Sequence, residues 1–301
     1  MKPTVLILGP TGRFGRAAEH AFCTAGWTTV RFDRGTDDLV QAARAADVIV
    51  NAWNPQYPDW ADQVPRLHDQ VIAAAKAAGA TVIVPGNVYV YGPQATPPWG
   101  QETPQEARNP LGQIRIAMEQ AYRQSGVRTI VLRAGDFIDT VASGNWFDAV
   151  LTKRLASGRF SYPGPLDVPH AWAFLPDLAR AAVQLAERRE ELPVFSDISF
   201  PGYTVTGAEM ATALDRIVTR PVRMTQMSWI PLRLLKPVWP MARCLLEMRY
   251  LWQVGHTLDG TLLEQYLPGF AVTPFETALA QAIPPGLVAP PSHPLAKTAV
   301  A

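Results

Sequence analysis

The sequence predicts an α/β protein, a doubly wound parallel sheet with helices on both faces joined to a smaller mixed lobe. Three observations carry this. The first 135 residues alternate short apolar runs with helical patterns, the rhythm of a parallel sheet covered by helices. Gly26, Gly79 and Gly126 each follow a predicted helix, where a left-handed residue stops it. Residues 4–15, TVLILGPTGRFG, pass from an apolar run into Gly9, Gly12 and Gly15, spaced three apart. That pattern reads as strand, tight turn and helix.

In chain order, the apolar runs predict strands at Thr4–Leu8, Thr29–Phe32, Val48–Asn51, Thr81–Pro85 and Arg128–Arg133. Helical spacing predicts Arg13–Ala25, Asp37–Ala45, Trp60–Ala78 and Leu111–Ser125 between them. Past residue 135 the rhythm loosens. Pro176–Arg189 reads as a helix with proline in its first turn, Val194–Ser199 as a strand, Thr206–Thr219 as a helix and Val222–Met227 as strand-like. Residues 229–252 are apolar and basic but cut by Pro231, Pro237 and Pro240. They are read as a broken pair of helices covering an apolar pocket. A membrane-surface helix is the alternative, disfavoured because the prolines interrupt any continuous amphipathic face. Residues 284–301 are Pro-rich with little pattern and are read as a loose tail.

Composition excludes several classes. The 301 residues are 48% hydrophobic and 18% charged, with a net charge of +1, which offers no electrostatic case for a nucleic-acid or anionic-membrane partner. Cys23 and Cys244 are the only cysteines, too few for a disulfide framework or a metal cluster. No run approaches the roughly 18–20 apolar residues of a spanning helix, and the N-terminal run is too short for a signal-peptide core. A cytoplasmic protein without a metal is expected.

The glycine turn carries the chemistry. It would aim the free N–H groups and positive dipole end of the first helix at a phosphate, with no side chains in the way. A dinucleotide pyrophosphate is therefore expected there. Asp33 ends the second strand 24 residues after Gly9, where a carboxylate accepts hydrogen bonds from adenosine ribose hydroxyls; it reads equally as a turn residue. Asp33 favours NAD, whereas Arg13 and Arg34 can pair with a 2′-phosphate and leave NADP open. Cofactor contacts are expected from Gly9, Thr11, Gly12, Arg13, Phe14 and Gly15. Asp33 and Arg34, then Asn51, Ala52, Trp53 and Gly86 at later strand ends, complete that set.

Four segments, GPTGRFG, DVIVNA at 47–52, NVYVYG at 87–92 and NPLGQIRIAME at 109–119, fall in the order seen in the extended short-chain dehydrogenase/reductases. The chain resembles that superfamily, which includes nucleotide-sugar epimerases and dehydratases, over residues 1 to about 200 and more weakly after 135. PHAWAFLPDLA at 169–179 echoes its late strand and helix. The resemblance implies a dinucleotide-binding domain from 1–137 plus about 168–200, and a substrate lobe from about 138–167 plus 201–283. It also makes a homodimer through the helices at 60–78 and 109–125 an expectation.

The departures define the problem. The resemblance implies a Tyr-x-x-x-Lys pair one helical turn apart, the phenol moving a proton and the lysine holding ribose hydroxyls. Here Leu111 and Arg115 occupy those positions, and Asn87 replaces the usual Ser or Thr. Arg115 can hold hydroxyls but is no acid–base partner, and Asn87 can polarise a substrate oxygen. Tyr89 is the alternative acid, or a packed aromatic. Tyr91 matches the superfamily's Tyr-Gly and reads first as structural.

Asp136 and His170 are placed near the nicotinamide and the pocket, or in a turn and in packing. Asp177 is read as structural. Tyr57, Trp60 and Trp146 join Tyr91, Asp136 and His170 as candidate substrate contacts, and the many loop aromatics suggest an apolar ligand or else core caps. The expected function is an NAD(P)-dependent oxidoreductase or epimerase-like enzyme. Its substrate would be a small, fairly apolar carbonyl or hydroxyl compound, with a non-standard proton donor. A catalytically silent NAD(P)-binding sensor is one alternative and a nucleotide-sugar epimerase or dehydratase another.

Overall fold

The computed structural model of the chain describes residues 2–290. Strand β1 (Thr4–Leu8) leads into helix α1 (Arg13–Thr24), then β2 (Thr28–Phe32), α2 (Leu39–Ala43), β3 (Val48–Asn51) and α3 (Trp60–Ala78). Next come β4 (Thr81–Gly86), α4 (Pro110–Ser125), β5 (Thr129–Arg133), β6 (Asp136–Ile138), β7 (Arg159–Tyr162), β8 (His170–Phe174) and α5 (Leu175–Glu187). The last part holds β9 (Phe195–Ser199), β10 (Tyr203–Val205), α6 (Gly207–Ile217), β11 (Arg223–Gln226) and α7 (Ile230–Leu235). It closes with α8 (Pro240–Glu247), α9 (Thr261–Tyr266) and α10 (Phe275–Ala282).

Six strands form one parallel sheet in the order β2-β1-β3-β4-β5-β9. The chain moves outward from β1 to β2, then returns to place β3 on the other side of β1. The crevice at the carboxyl ends of β1 and β3 is thus the switch point where ligands bind in such sheets. Two apolar clusters cover the faces, one including Leu6, Ile49, Val82 and α3, the other Val5, Ile7, Ile130 and α5. Burial on both faces is why β1, β3, β4 and β5 read as near-continuous apolar runs, whereas the edge strand β2 is largely exposed.

A second layer holds a three-stranded sheet β10-β8-β6 and a parallel pair β11-β7. Strands β6, β7, β8 and β10 are each three to five residues long, too short to show a period in sequence. The tail expectation is corrected for its first residues. Pro285–Leu287 form a single turn, Val288 bridges Val218, and the Ala289 amide donates to Ile217 O. Residues 291–301 of that tail lie outside the described part. Among the described residues no helix is long and apolar enough to cross a membrane.

Gly15 explains the glycine spacing. A Cβ there would lie 2.0 Å from the Gly9 carbonyl oxygen, so α1 reaches the strand only with a bare Cα. Gly9 itself has φ +74, in the region where a side chain is strained.

One buried ion cluster ties the sheet to its helices. Arg133 donates to Asp197 on β9 through Nε (3.0 Å) and Nη2 (2.5 Å). It also grips Glu119 on α4 at 3.1 and 2.7 Å, and donates to the Asn87 carbonyl. All three side chains are buried. Breaking such a cluster strands charge in a low dielectric, at about 3–5 kcal/mol. Arg133→Met should therefore lose that much in urea unfolding. The loss should be larger at pH 8 than at pH 5, because the buried Asp197 carboxyl, whose pKa burial raises, takes up a proton at the lower pH once the cation is gone.

Candidate functional site

The β1–α1 turn has the geometry its sequence implies. Gly12 caps α1 without a side chain and its amide bonds Gly9 O at 3.0 Å. The first turn contains no acidic residue. Gly9 faces Ala52, whose carbonyl oxygen would be 3.1 Å from a Cβ at Gly9. Thr11 is exposed at the turn. Phe14 is buried in the core beneath it, so only its main chain faces the crevice.

At the far end Asp33 is exposed and uses Oδ1 to accept the Gly35 amide at 2.8 Å. Its Oδ2 has no protein partner among the described residues. The Arg34 guanidinium lies 5.6 Å from the Trp53 ring centre, and Trp53 meets Phe32 edge-on at 5.5 Å. Arg13, a candidate phosphate partner, donates to the carbonyls of Ser143 (3.0 Å) and Gly144 (2.7 Å). Arg16 pairs with Asp139 at 2.7 Å. Both arginines fasten the loop after β6 to α1.

Beneath the crevice Asn51 is 1% exposed, and its amide nitrogen meets His68 Nδ1 at 3.2 Å and donates to Tyr122 OH at 3.1 Å. His68 and Tyr122 close the triangle at 2.9 Å. The Asn51 side chain therefore belongs to a buried polar triad. Gly86 serves packing, since a Cβ there would lie 2.7 Å from Val131 Cγ1.

Arg115 lies 95% buried on α4 (5% exposed). Nη2 donates to Pro85 O at 2.7 Å, the guanidinium lies 5.7 Å from the Trp60 ring centre, and Nε has no partner. Burial pushes its pKa down. Above it the Asn87 side-chain oxygen accepts the Tyr89 amide at 3.0 Å and caps the short turn Val88–Val90. That leaves the Asn87 amide nitrogen as its free donor.

Tyr89 and Tyr57 share a hydroxyl–hydroxyl bond of 2.6 Å. Burial raises both phenols, Tyr89 well above its ordinary value, with the Asp136 charge adding to each and the Arg115 charge pulling Tyr89 back down. Asp136 Oδ2 is bonded to His170 Nε2 at 2.8 Å. The structure thus brings Tyr89 within the fields of both Arg115 and Asp136, with Tyr57 on its hydroxyl and His170 on the Asp136 carboxylate. Gly112 permits the approach, since a Cβ there would lie 2.6 Å from the Tyr89 carbonyl oxygen. Tyr89 is pressed onto α4 one residue from Leu111.

Leu111 itself is buried at 3% exposure. Glu247 at the end of α8 accepts its amide at 2.7 Å and the Asn109 amide nitrogen at 2.9 Å, capping α4 from outside. The 229–252 stretch is two short helices broken at the prolines, as its sequence predicts. Its distal end covers the start of α4.

The aromatic residues expected to line an apolar cavity are mostly packing. Trp60 is 1% exposed and donates to Pro55 O, while Tyr91 is fully buried and donates to Gly100 O. Trp146 packs against Trp229 and Trp252, and Trp252 in turn stacks on His170 at 4.3 Å. Asp177 bonds Thr273 and Arg180, in the structural role read for it.

Sequence reading missed His256, which stacks on Trp99 and lies 4.5 Å from His170 with Nε2 unpartnered. It also missed a cleft of about 280 Å³ whose wall includes Gln226, Arg249 and Gln253. The buried Arg249 Nε has no partner. Nothing in the local pattern marks these residues, because they meet only through the fold.

No family model matches the sequence, and no curated protein matches it. Solved structures do match in fold. MoeE5 in complex with UDP-glucose and NAD aligns with a TM-score of 0.72 at 15% identity, covering 93% of this chain and 97% of that one. UDP-glucose 4-epimerase from Brucella ovis in complex with NAD aligns at 0.71 and 17%, covering 95% and 100%. A GalE-like L-threonine dehydrogenase from Cupriavidus necator aligns at 0.70 and 17%, covering 93% and 99%. The chain therefore shares the fold of these three proteins, the α/β architecture its sequence predicts.

Burial holds His68 and His256 neutral, each with its pKa lowered from 6.5 to about 3. The unfolded chain takes up these protons first as pH falls. Stability present above pH 6.5 should drain away between pH 6.5 and 3, by up to about 1.4 kcal/mol per pH unit for each histidine. Thermal unfolding of His256→Gln between pH 7 and pH 4 should show a shallower decline than the parent.

Proposed function

We propose that the chain is an NAD(P)-dependent redox enzyme of the epimerase or dehydratase type, acting on a nucleotide sugar with Tyr89 as proton donor. The observation that carries this is the Tyr57–Tyr89 hydroxyl pair, set beside Asn87 and the Asp136–His170 pair. The cofactor fits the residues present. A Cβ at Gly9, Gly12 or Gly15 would press on the Gly9 or Ala52 carbonyl, so the turn is tight and its main chain bare at the head of α1, and Asp33 keeps a free oxygen for ribose hydroxyls.

A bound nicotinamide would exchange hydride with the substrate carbon. The chain's own groups do the rest. Asn87 donates its free amide nitrogen to the substrate oxygen. Arg115 holds a positive charge where the superfamily has lysine, and its field lowers the Tyr89 phenol. Burial keeps that phenol protonated, the state that gives a proton to a carbonyl in the reductive half of the cycle. In the oxidative half the same residue takes the hydroxyl proton, which burial opposes and the Arg115 charge assists.

The nucleotide-sugar reading replaces that of a small apolar substrate. The aromatics that suggested the latter are buried against one another, whereas the unpartnered Arg249 Nε suits a phosphate. Gln253 in the same cleft follows Trp252, which stacks on His170. The complexes of its structural neighbour MoeE5, with UDP-glucose or UDP-glucuronic acid and NAD, support this choice. A silent dinucleotide-binding protein is the second reading, favoured by Leu111 lying sealed under Glu247 and Met248.

Turnover of UDP-hexoses and their 4-keto forms, followed by product analysis and nicotinamide absorbance, separates the two. Under the enzyme reading Tyr89→Phe should lower kcat at least a hundredfold with little change in cofactor affinity. Carbonyl reduction should hold its rate up to pH 9, because the phenol ionises only well above 10. Tight cofactor binding with no turnover of any nucleotide sugar would favour the silent reading instead.

A further inference from the structure

The helical hairpin α7–α8 turns apolar side chains toward solvent. Ile230, Leu234 and Val238 are 61%, 74% and 78% exposed, and Leu235 and Trp239 are 43% and 42% exposed. All five lie within ten consecutive residues. A soluble surface scatters such side chains singly; a contiguous group marks an interaction site.

The hairpin is built, and its exposure is not that of a loose end. The amides of Val238 and Trp239 donate to Leu235 O at 3.1 and 2.9 Å. Arg243 reaches back to the carbonyls of Lys236 (3.0 Å) and Pro237 (3.2 Å) and closes the turn. At its base Trp229 is buried and donates to Pro163 O at 2.7 Å, while Ala242 is fully buried. The tip is therefore held out from the body in one conformation.

Charge identifies what it meets. Residues 228–246 contain Arg233, Lys236 and Arg243 and no Asp or Glu. The next acidic residue in sequence, Glu247, is engaged on α4. A second copy of the chain packed by two-fold symmetry would set these cations against one another. An anionic, partly apolar surface satisfies both features. Branched aliphatics and a tryptophan enter the headgroup boundary while cations stay at the phosphates.

We propose that the α7–α8 tip docks the protein on anionic membrane surfaces. Leu234, Val238 and Trp239 insert, and Arg233 and Lys236 contact the lipid phosphates. The short, broken helices that argue against a long amphipathic face leave a wedge instead, which needs only a few residues to anchor. The proposal stands on the hairpin tip; Ile230 and Arg233 nearer its base also line the cleft assigned above to a phosphate, whereas Leu234, Val238 and Trp239 lie outside that lining.

Co-sedimentation of the full chain with vesicles tests it. Vesicles of phosphatidylglycerol and phosphatidylcholine should bind at least tenfold more tightly than pure phosphatidylcholine, and added salt should weaken binding. The double variant Leu234→Glu, Val238→Glu should lose at least tenfold in binding while keeping the parent's circular dichroism and melting temperature. Arg233→Gln with Lys236→Gln should abolish the preference for anionic vesicles. No sedimentation with anionic vesicles, or equal sedimentation of the Glu variant, would overturn the proposal. So would a dimer in solution that this variant converts to monomer.

Discussion

Everything on the carboxyl side of the sheet depends on the guanidinium of Arg133. One planar cation joins two strands, a helix and the loop that carries Asn87. The bidentate geometry on both carboxylates gives direction as well as energy, since a fork of donors fixes the angle between the groups it joins. The strand end that precedes Asp136, the helix that bears Arg115 and the turn that bears Tyr89 are therefore set relative to one another by a single residue. Small errors in their spacing would be felt at the site, where about an ångström decides whether groups meet.

Within that frame, the proposed proton donor stands on a loop instead of a helix. A leucine on α4 cannot move a proton, yet Gly112 beside it lets the backbone of Tyr89 lie against the same helix. The tyrosine arrives from the strand side and meets Tyr57 from the loop after β3. Arg115 differs from a lysine in keeping its charge despite complete burial, so it can bias a neighbouring phenol without exchanging protons itself. The network is held as much by main chain as by side chain, for the Asn87 side chain accepts the Tyr89 amide while its carbonyl accepts from Arg133.

The central sheet was legible because its strands are buried on both faces and its helices end at glycine, so the local pattern and the tertiary demand coincide. The glycine turn was legible for the same reason, as Gly15 has no alternative under the Gly9 carbonyl. The second layer was less so. Its strands are three to five residues long and its pairing joins segments far apart, such as β6 with β8. The site was visible in part. Asn87, Tyr89, Asp136 and His170 stood at the right strand ends, but the bond between the last two spans 34 residues. Arg133 ends an apolar run and could have been flagged as a buried cation needing acids. Its partners, Glu119 and Asp197, look like surface charges until the fold turns them inward. The aromatic residues misled for a physical reason, since a tryptophan that closes a core and one that lines a cavity carry the same signature in sequence.

Glu247 gives α4 a cap that the helix does not carry itself, brought from 136 residues further along the chain. During synthesis, the sheet up to β9 can assemble well before that carboxylate leaves the ribosome. Until it does, the first turn of α4 holds orphaned amides and frays readily. Maturation of the site is thus ordered in time, with the scaffold first and the helix bearing Arg115 locked last. A nascent or truncated chain would be folded in outline before it was competent.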